Sequence, residues 1–541
     1  MDKRIQRKAV IVTVVFFLVI GLLVVHHSSD NDDLSYNAGQ QQVPWLGGKT
    51  WQGAVVAQGV GGTGKKAMIS NVDQECTRKQ HKLPSEETLR KMSLEGVSEV
   101  YHRHVNNLQI LCPIKPIYAG MNAGWQVCAT PLEGPSTTVY FISQTKDDVI
   151  ATRFLKEIAA DTRATTVQLP SSLVLKAMSE SETETQSIET KPVYDMMKLT
   201  TIDIMLIHAG KESANIVHWL DTKRALMSVD QLIVKFESVG RTSSQGDYIR
   251  QIVLLARLHD DGFRIFYVSR DPEPKCIYKL NGRDVTGCYI IYMMRCKSTQ
   301  PPILIPPTEQ LNKMSPTNSA LLYHSYSLST QILCQDVVRV GDINDGGWEV
   351  CNDTDYRPSP NCLVYSFGID KDWTFDEEVS RIYGCEVHSF DPSIGLKDHK
   401  HSEKVWFHDL GLSNADGKRG SWQMKTLDSI KKMLGHSDRV LDYVKMDIEE
   451  SEWGAIGQML TSGVLKNVRQ LAVEFHSPNV TPGKHYLQKL EILNRLYNSG
   501  FRLFWAHPNQ MRGNQRRLAG TNREVTVCYE LYYLNARYSS K

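Results

Sequence analysis

The sequence repeats one series of motifs, and this repetition limits the folds that a chain of 541 residues can adopt. Residues 109–128 read QILCPIKPIYAGMNAGWQVC, and residues 331–351 read QILCQDVVRVGDINDGGWEVC. Further matches follow in the same order: TTVYFISQ with CLVYSFGI, QLIVKFES with QLAVEFHS, DGFRIFYV with SGFRLFWA, and DVTGCYIIYMM with EVTVCYELYYL. Collinear matches of this length indicate a tandem duplication, so we expect two domains of the same fold.

Each copy alternates short apolar runs with stretches long enough for one helix, and ends in two strand-like runs. This alternation predicts an α/β class with two tandem Rossmann-like, doubly wound sheets, each closed by an antiparallel edge. The domains are expected over residues 106–297 and 326–541. A stretch rich in Pro, Ser and Thr predicts a linker over residues 298–325.

The first residues predict a membrane protein. A basic tail, residues 1–8, precedes an uninterrupted apolar run, residues 9–25, and acidic residues follow that run. This pattern predicts a transmembrane anchor of type II orientation, with the rest of the chain facing the Golgi or ER lumen and residues 26–105 forming a polar stem. A cleaved signal peptide is the alternative, and it would export the same part of the chain.

Eleven cysteines in an exported chain should mostly be paired. The spacing shared by the two copies predicts two disulfides: Cys112 with Cys128, and Cys334 with Cys351. A bond between Cys351 and Cys362 competes with the second, and the corresponding residues Cys288 and Cys528 are either bridged or buried thiols. N-glycan acceptor patterns begin at Asn352 and Asn479, and a proline after the second makes it the poorer acceptor.

The clearest arrangement of polar groups lies in the second copy, in LDYVKMDIEESEW and VRQLAVEFH. Asp447 and Glu449 follow one apolar run, and Glu474 and His476 end the next. In open parallel sheets, ligands bind outside the carboxyl ends of the strands. These four side chains are therefore expected to face one crevice.

The first copy has different residues at the corresponding positions. The pairs are His208 for Asp447, Lys235 for Glu474, Glu237 for His476, Ser143 for Gly368, and about Leu169 for Asp391. The apolar strand positions persist while the candidate chemical residues change. We therefore expect a first domain without a catalytic site, kept for packing or for binding an acceptor.

Two other positions in the second copy suggest a nucleotide-type site. Gly368 ends its first strand, where a glycine lets a ligand approach the backbone. Asp391 ends the second strand, 23 positions later, where such sites place a carboxylate for ribose hydroxyls. Asp409 ends the third strand, and there the cap of a helix is an equally good interpretation.

The motifs YSFG, FDPS, LGLSNADG, SWQMKTLDSI, VKMDIEESEW and AVEFH, in this order, resemble the FkbM-type, S-adenosylmethionine-dependent methyltransferases. The similarity is greatest to their membrane-anchored, animal methyltransferase-like branch. It covers residues 334–541, and the first copy only in outline. It implies a seven-stranded Rossmann-like sheet, S-adenosylmethionine as cofactor and O-methyl transfer.

Carried over to this sequence, the resemblance implies the following cofactor contacts: Ser366 and Gly368 at the methionine end, Asp391 at the ribose, and Asp409 with Leu410 at the adenine. Asp447 and Glu449 match the D-x-E element of the family, next to the reacting methyl. This chain differs from the family in having one glycine in the first loop and in placing Glu450 where a glycine often follows D-x-E.

Methyl transfer from a sulfonium needs an acceptor oxygen aligned behind the methyl and a group that removes its proton. His476 is the best general base by residue type, and Asp447 is the second candidate. A divalent metal held by Asp447, Glu474 and His476 is conceivable, but no metal is assigned.

The expected function is an O-methyltransferase of the secretory pathway that acts on a hydroxyl of a glycan or glycoprotein. The formal net charge of +2 is spread along the chain, so no nucleic-acid partner is expected. One alternative is a lumenal glycosyltransferase, for which DTD at 353–355 is the nearest metal-binding motif. The other is a pseudo-methyltransferase that only binds a partner.

Overall fold

A computed structural model describes residues 83–121, 124–129, 137–180, 187–237, 239–271, 273–296, 301–509 and 513–539. The predicted anchor and most of the predicted stem lie outside these residues. Within them, no helix combines the length and the apolar character needed to cross a bilayer. The described residues form two lobes, a first lobe up to residue 296 and a second lobe from residue 301.

The first lobe alternates strands and helices. Its helices are α1 (Glu86–Lys91), α2 (Leu94–Val105), α3 (Val149–Thr162), α4 (Ser171–Ser179), α5 (Lys191–Met197), α6 (Ser213–Thr222) and α7 (Gln245–Asp260). Its strands are β1 (Ile117–Tyr118), β2 (Trp125–Gln126), β3 (Thr138–Ser143), β4 (Thr165–Pro170), β5 (Ile202–His208), β6 (Val229–Phe236), β7 (Phe263–Arg270), β8 (Ile277–Leu280), β9 (Arg283–Thr286) and β10 (Tyr289–Arg295).

The second lobe repeats this plan with additional strands. Its helices are α8 (Thr308–Leu311), α9 (Pro316–Tyr326), α10 (Thr374–Tyr383), α11 (Leu427–Met433), α12 (Glu452–Ser462) and α13 (Lys484–Asn498). Its strands are β11 (Val337–Val340), β12 (Trp348–Cys351), β13 (Leu363–Phe367), β14 (Glu386–Phe390), β15 (His399–Ser402), β16 (Val405–His408), β17 (Gly411–Leu412), β18 (Gly417–Arg419), β19 (Trp422–Lys425), β20 (Leu441–Met446), β21 (Val468–His476), β22 (Phe501–Pro508), β23 (Gln515–Arg517), β24 (Glu524–Thr526) and β25 (Cys528–Asn535).

The main sheets confirm the predicted α/β class and the duplication. The second sheet has the order β15-β16-β14-β13-β20-β21-β25-β22, and the first has the order β4-β3-β5-β6-β10-β7. In the second sheet, β25 runs antiparallel between β21 and β22, as the terminal strand-like runs predicted. The sheet has one strand more than the seven implied by the resemblance, because β15 adds to its edge in antiparallel orientation.

Both predicted lobe boundaries need correction. Residues 83–105 were assigned to the stem, yet α2 packs on the first lobe and buries apolar side chains such as Tyr101 and Val105. Residues 298–325 were assigned to a linker, yet α9 contributes buried Tyr323 to the core of the second lobe. Each helix precedes a QILC motif, so both belong to the duplicated unit.

Matching histidines fix these two helices to their lobes. His102 lies in α2, with its ring nitrogens 2.8 Å and 2.6 Å from the hydroxyls of Tyr289 and Tyr278. His324 lies in α9, with its ring nitrogens 2.9 Å and 3.2 Å from the hydroxyls of Tyr529 and Tyr486. The shared dipeptide Tyr-His at 101–102 and 323–324 is the sequence signal for this extension of the repeat.

Four disulfides join described cysteines. The predicted bonds Cys112–Cys128 and Cys334–Cys351 are confirmed, and the others are Cys276–Cys288 and Cys362–Cys385. The competing bond between Cys351 and Cys362 is therefore wrong. Cys288 is bridged, whereas its counterpart Cys528 is a buried free thiol. Of the two glycan acceptors, Asn479 is exposed, while the Asn352 amide donates to Asp336 at 2.7 Å.

A buried glutamine in each sheet holds the disulfide-bonded hairpin. The Gln470 side chain accepts from the Cys351 N–H at 2.9 Å and donates to the Cys351 carbonyl at 2.9 Å. Gln231 makes the same two bonds with Cys128, at 2.9 Å and 2.8 Å. An amide that offers both a donor and an acceptor satisfies both backbone groups at once.

We expect Gln470→Leu to destabilise the second lobe by about 2–4 kcal/mol, because it leaves the buried N–H and carbonyl of Cys351 without partners. The midpoint of chemical denaturation, measured with disulfides intact, should fall accordingly. Gln423→Leu, at an exposed position, is the matched control and should change the unfolding free energy by less than about 0.5 kcal/mol. Equal midpoints for the two variants would contradict the assigned role.

Candidate active site

The carboxyl ends of strands β13, β20 and β21 lie side by side and position the candidate site. β13 pairs in parallel with β20, and β20 pairs in parallel with β21. Gly368 follows β13 with φ +75°, and a Cβ added there would lie 1.6 Å from the Asp447 carbonyl oxygen. Only glycine therefore permits the turn after β13 to pack against the end of β20.

The structure brings together the four residues predicted at this edge. His476 Nε2 lies 3.6 Å from a Glu449 oxygen and 4.0 Å from Glu474 Oε1. One ligand atom from each of Asp447, Glu449 and His476 lies within 4.8 Å of the others. We call Asp447, Glu449, Glu474 and His476 the acidic cluster.

A fifth residue, Glu452, was not predicted and is the closest partner of His476. Glu452 is completely buried, and its Oε1 lies 3.1 Å from His476 Nδ1. The same oxygen accepts the Ile448 N–H at 3.0 Å, which closes the turn after β20. Its second oxygen, Oε2, has no hydrogen-bond partner among the described residues.

The first lobe closes the same turn without a charge. There the buried hydroxyl of Ser213 accepts the Ala209 N–H at 3.0 Å. Ser213 and Glu452 stand at equal distances after His208 and Asp447, the corresponding ends of β5 and β20. The turn needs only an acceptor, so the carboxylate of Glu452 adds a charge that the fold does not require.

Glu452 determines the charge state of His476. Burial acts to lower the pKa of His476, but the hydrogen bond and charge of Glu452, with the charges of Glu474 and Asp447, raise it to about 9. His476 is therefore an imidazolium at neutral pH.

The carboxyls beside His476 behave in the opposite way. Burial raises the pKa of Asp447 well above its usual value, and the charge of Glu474 raises it further. Burial also raises the pKa of Glu474, although hydrogen bonds from the Cys528 thiol at 2.6 Å and the Asn509 amide at 2.7 Å act against this. Carboxyl groups with raised pKa values are frequent at sites of proton transfer.

The backbone around the cluster is strained. Glu449 and Glu450 have φ angles of +50° and +68°, in the left-handed region that costs a non-glycine residue about 1–3 kcal/mol. The position of Glu449 in the first lobe is occupied by Gly210, with φ +59°. Glu450 also adopts the left-handed conformation, although its counterpart in the first lobe is Lys211, so the second lobe accepts strain at two glutamates here.

Asp391 follows β14 as predicted, and it is largely engaged by the protein. Its Oδ2 accepts the Asp370 N–H at 3.0 Å, and its Oδ1 accepts from the N–H and hydroxyl of Ser393 at 2.8 Å and 2.6 Å. A carboxylate has about four acceptor positions, so one remains for a ligand hydroxyl. Ser366 is completely buried inside the sheet, and its hydroxyl has no partner among the described residues.

The other predicted contacts lie apart from the acidic cluster. Asp409 forms an ion pair with Lys397 at 2.6 Å, and Leu410 is buried in the core. Neither belongs to the group of residues around His476. The DTD motif is also structural, because both oxygens of Asp353 accept backbone N–H groups, from Gln335 at 3.0 Å and Asp336 at 2.9 Å.

The strand registers test the internal comparison. Tyr140 of β3 corresponds to Tyr365 of β13. Counting along the paired strands from these two tyrosines shows which residues of the two lobes are equivalent: His208 and Asp447, Lys235 and Glu474, and Glu237 and His476. These three correspondences are confirmed. The one for Asp391 is wrong by one residue, because β3 and β4 place Pro170, not Leu169, at this position.

The first lobe fills its own strand ends with an ion-pair network. Lys235 lies 2.8 Å from Asp271, 3.4 Å from Glu237 and 3.9 Å from Glu273. The partly buried ammonium of Lys235 stands where the second lobe has the Glu474 carboxylate. The signs of the charges are thus reversed between the two lobes.

Comparison with known proteins identifies the second half of the chain. Residues 292–519 match a family described as a methyltransferase domain. The human protein "Probable methyltransferase-like protein 24" is 26% identical over 235 residues, which are 39% of this chain and 63% of that protein. The rat protein of the same name is 27% identical over 236 residues, 40% of this chain and 64% of that protein. The chain thus spans less than two thirds of the length of these relatives.

Solved structures show only a distant likeness. Phosphoethanolamine N-methyltransferase 2 of Haemonchus contortus, in complex with S-adenosyl-L-methionine, is 11% identical with a TM-score of 0.20, over 75% of this chain and 80% of that chain. A score this low carries no argument. The sequence family and the relatives carry the conclusion, which is that residues 292–519 are similar to a methyltransferase domain.

Proposed function

We propose that the second lobe transfers a methyl group from S-adenosylmethionine to a hydroxyl oxygen at the carboxyl edge of β13, β20 and β21. The observation that carries this proposal is the acidic cluster, which lies inside the matched methyltransferase domain and is replaced residue by residue in the first lobe. The fold of the first lobe forms without these groups. Their presence in the second lobe is therefore best explained by chemistry.

The residues at this edge suit a cationic cofactor. S-adenosylmethionine, when bound, supplies a sulfonium-activated methyl group. Gly368 lets the turn after β13 pack against the end of β20, and the spare acceptor position of Asp391 would take a ribose hydroxyl. The carboxylates of the acidic cluster favour a positive charge nearby. Ser366 is buried beneath this edge and would support it from inside the sheet.

We infer that Asp447, rather than His476, takes the proton of the acceptor hydroxyl. His476 already holds a proton at neutral pH, because its pKa is raised to about 9. The pKa of Asp447 is raised well above its usual value, mainly by burial, which suits a general base. The acceptor O–H bond would break with its proton moving to an Asp447 carboxylate oxygen. The acceptor oxygen would bond to the methyl carbon as the bond from that carbon to sulfur breaks, which leaves a neutral thioether.

A glycan or glycoprotein hydroxyl is the acceptor we propose, in a Golgi- or ER-facing protein anchored by residues 9–25. Its support is the sequence pattern of the first residues together with the four disulfides, which are typical of exported proteins. The half-buried indole of Trp453 lies beside the site, where its Nε1 donates to the His476 carbonyl at 2.8 Å. An aromatic ring at this position would offer a surface for a sugar.

Calorimetry with S-adenosylmethionine tests the cofactor site. We expect one binding event per chain, weakened at least tenfold in Asp391→Ala, since the ribose would lose its carboxylate. His208→Gln, at the first-lobe counterpart of Asp447, is the control and should bind as the wild type does. Two binding events, or none, would contradict the assignment of one active lobe.

Transfer of a labelled methyl group tests the chemistry. We expect Asp447→Asn to lower kcat by about 10²–10⁴, the range for loss of a general base, with cofactor affinity kept within a few fold. Lys235→Gln in the first lobe should leave kcat unchanged. Label found on amines rather than on glycan hydroxyls would overturn the acceptor class and leave the cofactor result standing.

The charge on Glu452 should control the titration of His476. In Glu452→Ser, which copies the first lobe, and in Glu452→Gln, the pKa of His476 should fall from about 9 by at least one unit, as observed by NMR of labelled histidine rings. Glu491→Gln, at an exposed position of α13, is the control and should leave this pKa unchanged.

This pair also predicts how stability depends on pH. The folded-state pKa of His476 lies above the ordinary value of about 6.5, so its contribution to stability is complete below about pH 6.5 and is lost as the pH rises through about 9. The difference in unfolding free energy between wild type and Glu452→Gln should therefore shrink between these values. A constant difference over this range would contradict the pairing.

A further inference from the structure

A second cluster of ionisable side chains lies at the opposite end of the same sheet. Glu386 and His388 point to one face from β14, and His436 reaches this face from the loop after α11. Glu386 is the first residue of β14, whereas Asp391 follows its last residue. At about 3.3 Å per residue, the cluster is on the order of 15 Å from the proposed methyl-transfer edge.

The ligand atoms of the cluster converge on one point. His388 Nε2 lies 3.0 Å from Glu386 Oε1, and His436 Nε2 lies 3.4 Å from the same oxygen. One ligand atom from each of the three residues lies within 4.8 Å of the others. Tetrahedral ligands about 2.0–2.1 Å from a zinc ion are about 3.3 Å apart, so these separations fit one ion.

Each histidine is also oriented through its other ring nitrogen. His436 Nδ1 lies 2.8 Å from the Tyr365 hydroxyl, and His388 Nδ1 lies 2.8 Å from His408 Nε2. His408 is in turn 3.4 Å from Asp398. Metal-binding histidines are usually held by such outer contacts, which fix the ring and leave the second nitrogen for the metal.

We propose that Glu386, His388 and His436 bind a zinc ion in the second lobe, with water as the fourth ligand. Two imidazoles and one carboxylate suit Zn²⁺. The Glu386 side chain is 31% exposed, which leaves an entry path for the ion and the water. The ion would fasten the loop after α11 to the amino end of β14.

A further contact holds the carboxylate. Arg439 donates to Glu386 Oε2 at 2.6 Å, while Oε1 remains directed at the histidines.

The first lobe again lacks these residues. The register of β4 places Thr165 and Val167 at the positions of Glu386 and His388, while Tyr140 stands at the position of Tyr365. The sheet therefore forms without the cluster. Its polar residues in the second lobe call for a reason other than the fold.

Cobalt and zinc titrations of the purified full-length chain, stripped of metal with a chelator, test the site. We expect one equivalent of Co²⁺ to bind with the visible absorption of a tetrahedral ion, and Zn²⁺ to displace it. His388→Gln and His436→Gln should each weaken binding at least tenfold. His399→Gln, at an exposed position of the edge strand β15, is the control and should bind as the wild type does.

Two further variants keep the test decisive. His408→Phe should weaken Zn²⁺ binding about 10–100-fold without changing the stoichiometry, because it removes only the partner that orients His388. His476→Gln should leave metal binding intact. The site would be overturned if His476→Gln lost metal binding, or if a folded His388→Gln/His436→Gln double variant kept it. A wild-type protein without the absorption of tetrahedral Co²⁺ would overturn it as well. None of these readouts depends on methyl transfer.

Discussion

The contact between Glu452 and His476 is the interaction on which the candidate active site depends. One oxygen of a completely buried carboxylate holds both the turn after β20 and the imidazole at the end of β21. A buried charge without a partner costs several kcal/mol, so each group requires the other. The pair thereby fixes the relative positions of Asp447 and Glu474, which stand at the ends of the same two strands.

The duplication separates what the fold needs from what the site needs. Contacts that serve the fold recur in both lobes, such as the buried glutamines on the hairpins and the histidines held by tyrosine hydroxyls. The charged groups of the acidic cluster at the strand ends do not recur. The first lobe has Gly210 where the second has Glu449 in a left-handed conformation, and it has Ser213 where the second has Glu452. The second lobe therefore accepts backbone strain and a buried charge that are absent at these positions of the first.

Much of this could be predicted from the sequence because alternation and repetition are local signals. They gave the α/β class, two disulfides and the positions of four clustered side chains. Glu452 was missed because an acidic residue in the first turn of a helix is ordinary, being favoured by the helix dipole. Its role depends on a contact with a residue 24 positions away. His436 was missed for the same reason, since its partners Tyr365 and Glu386 lie on other strands.

The reversed charges also explain what the first lobe contributes. At its strand ends the first lobe carries the Lys235 ammonium in an ion-pair network with Asp271, Glu237 and Glu273, in place of the acidic cluster. It supplies an ion-pair partner instead. Arg270 of the first lobe lies 2.6 Å from Glu349, a residue of β12 that is 1% exposed. β12 packs beside β21, the strand that carries His476, through the hydrogen bond between Cys351 and Gln470. Removing Arg270 would therefore take one charge partner from the buried Glu349 carboxylate next to that strand. The first lobe therefore supports the site through the packing of its neighbour.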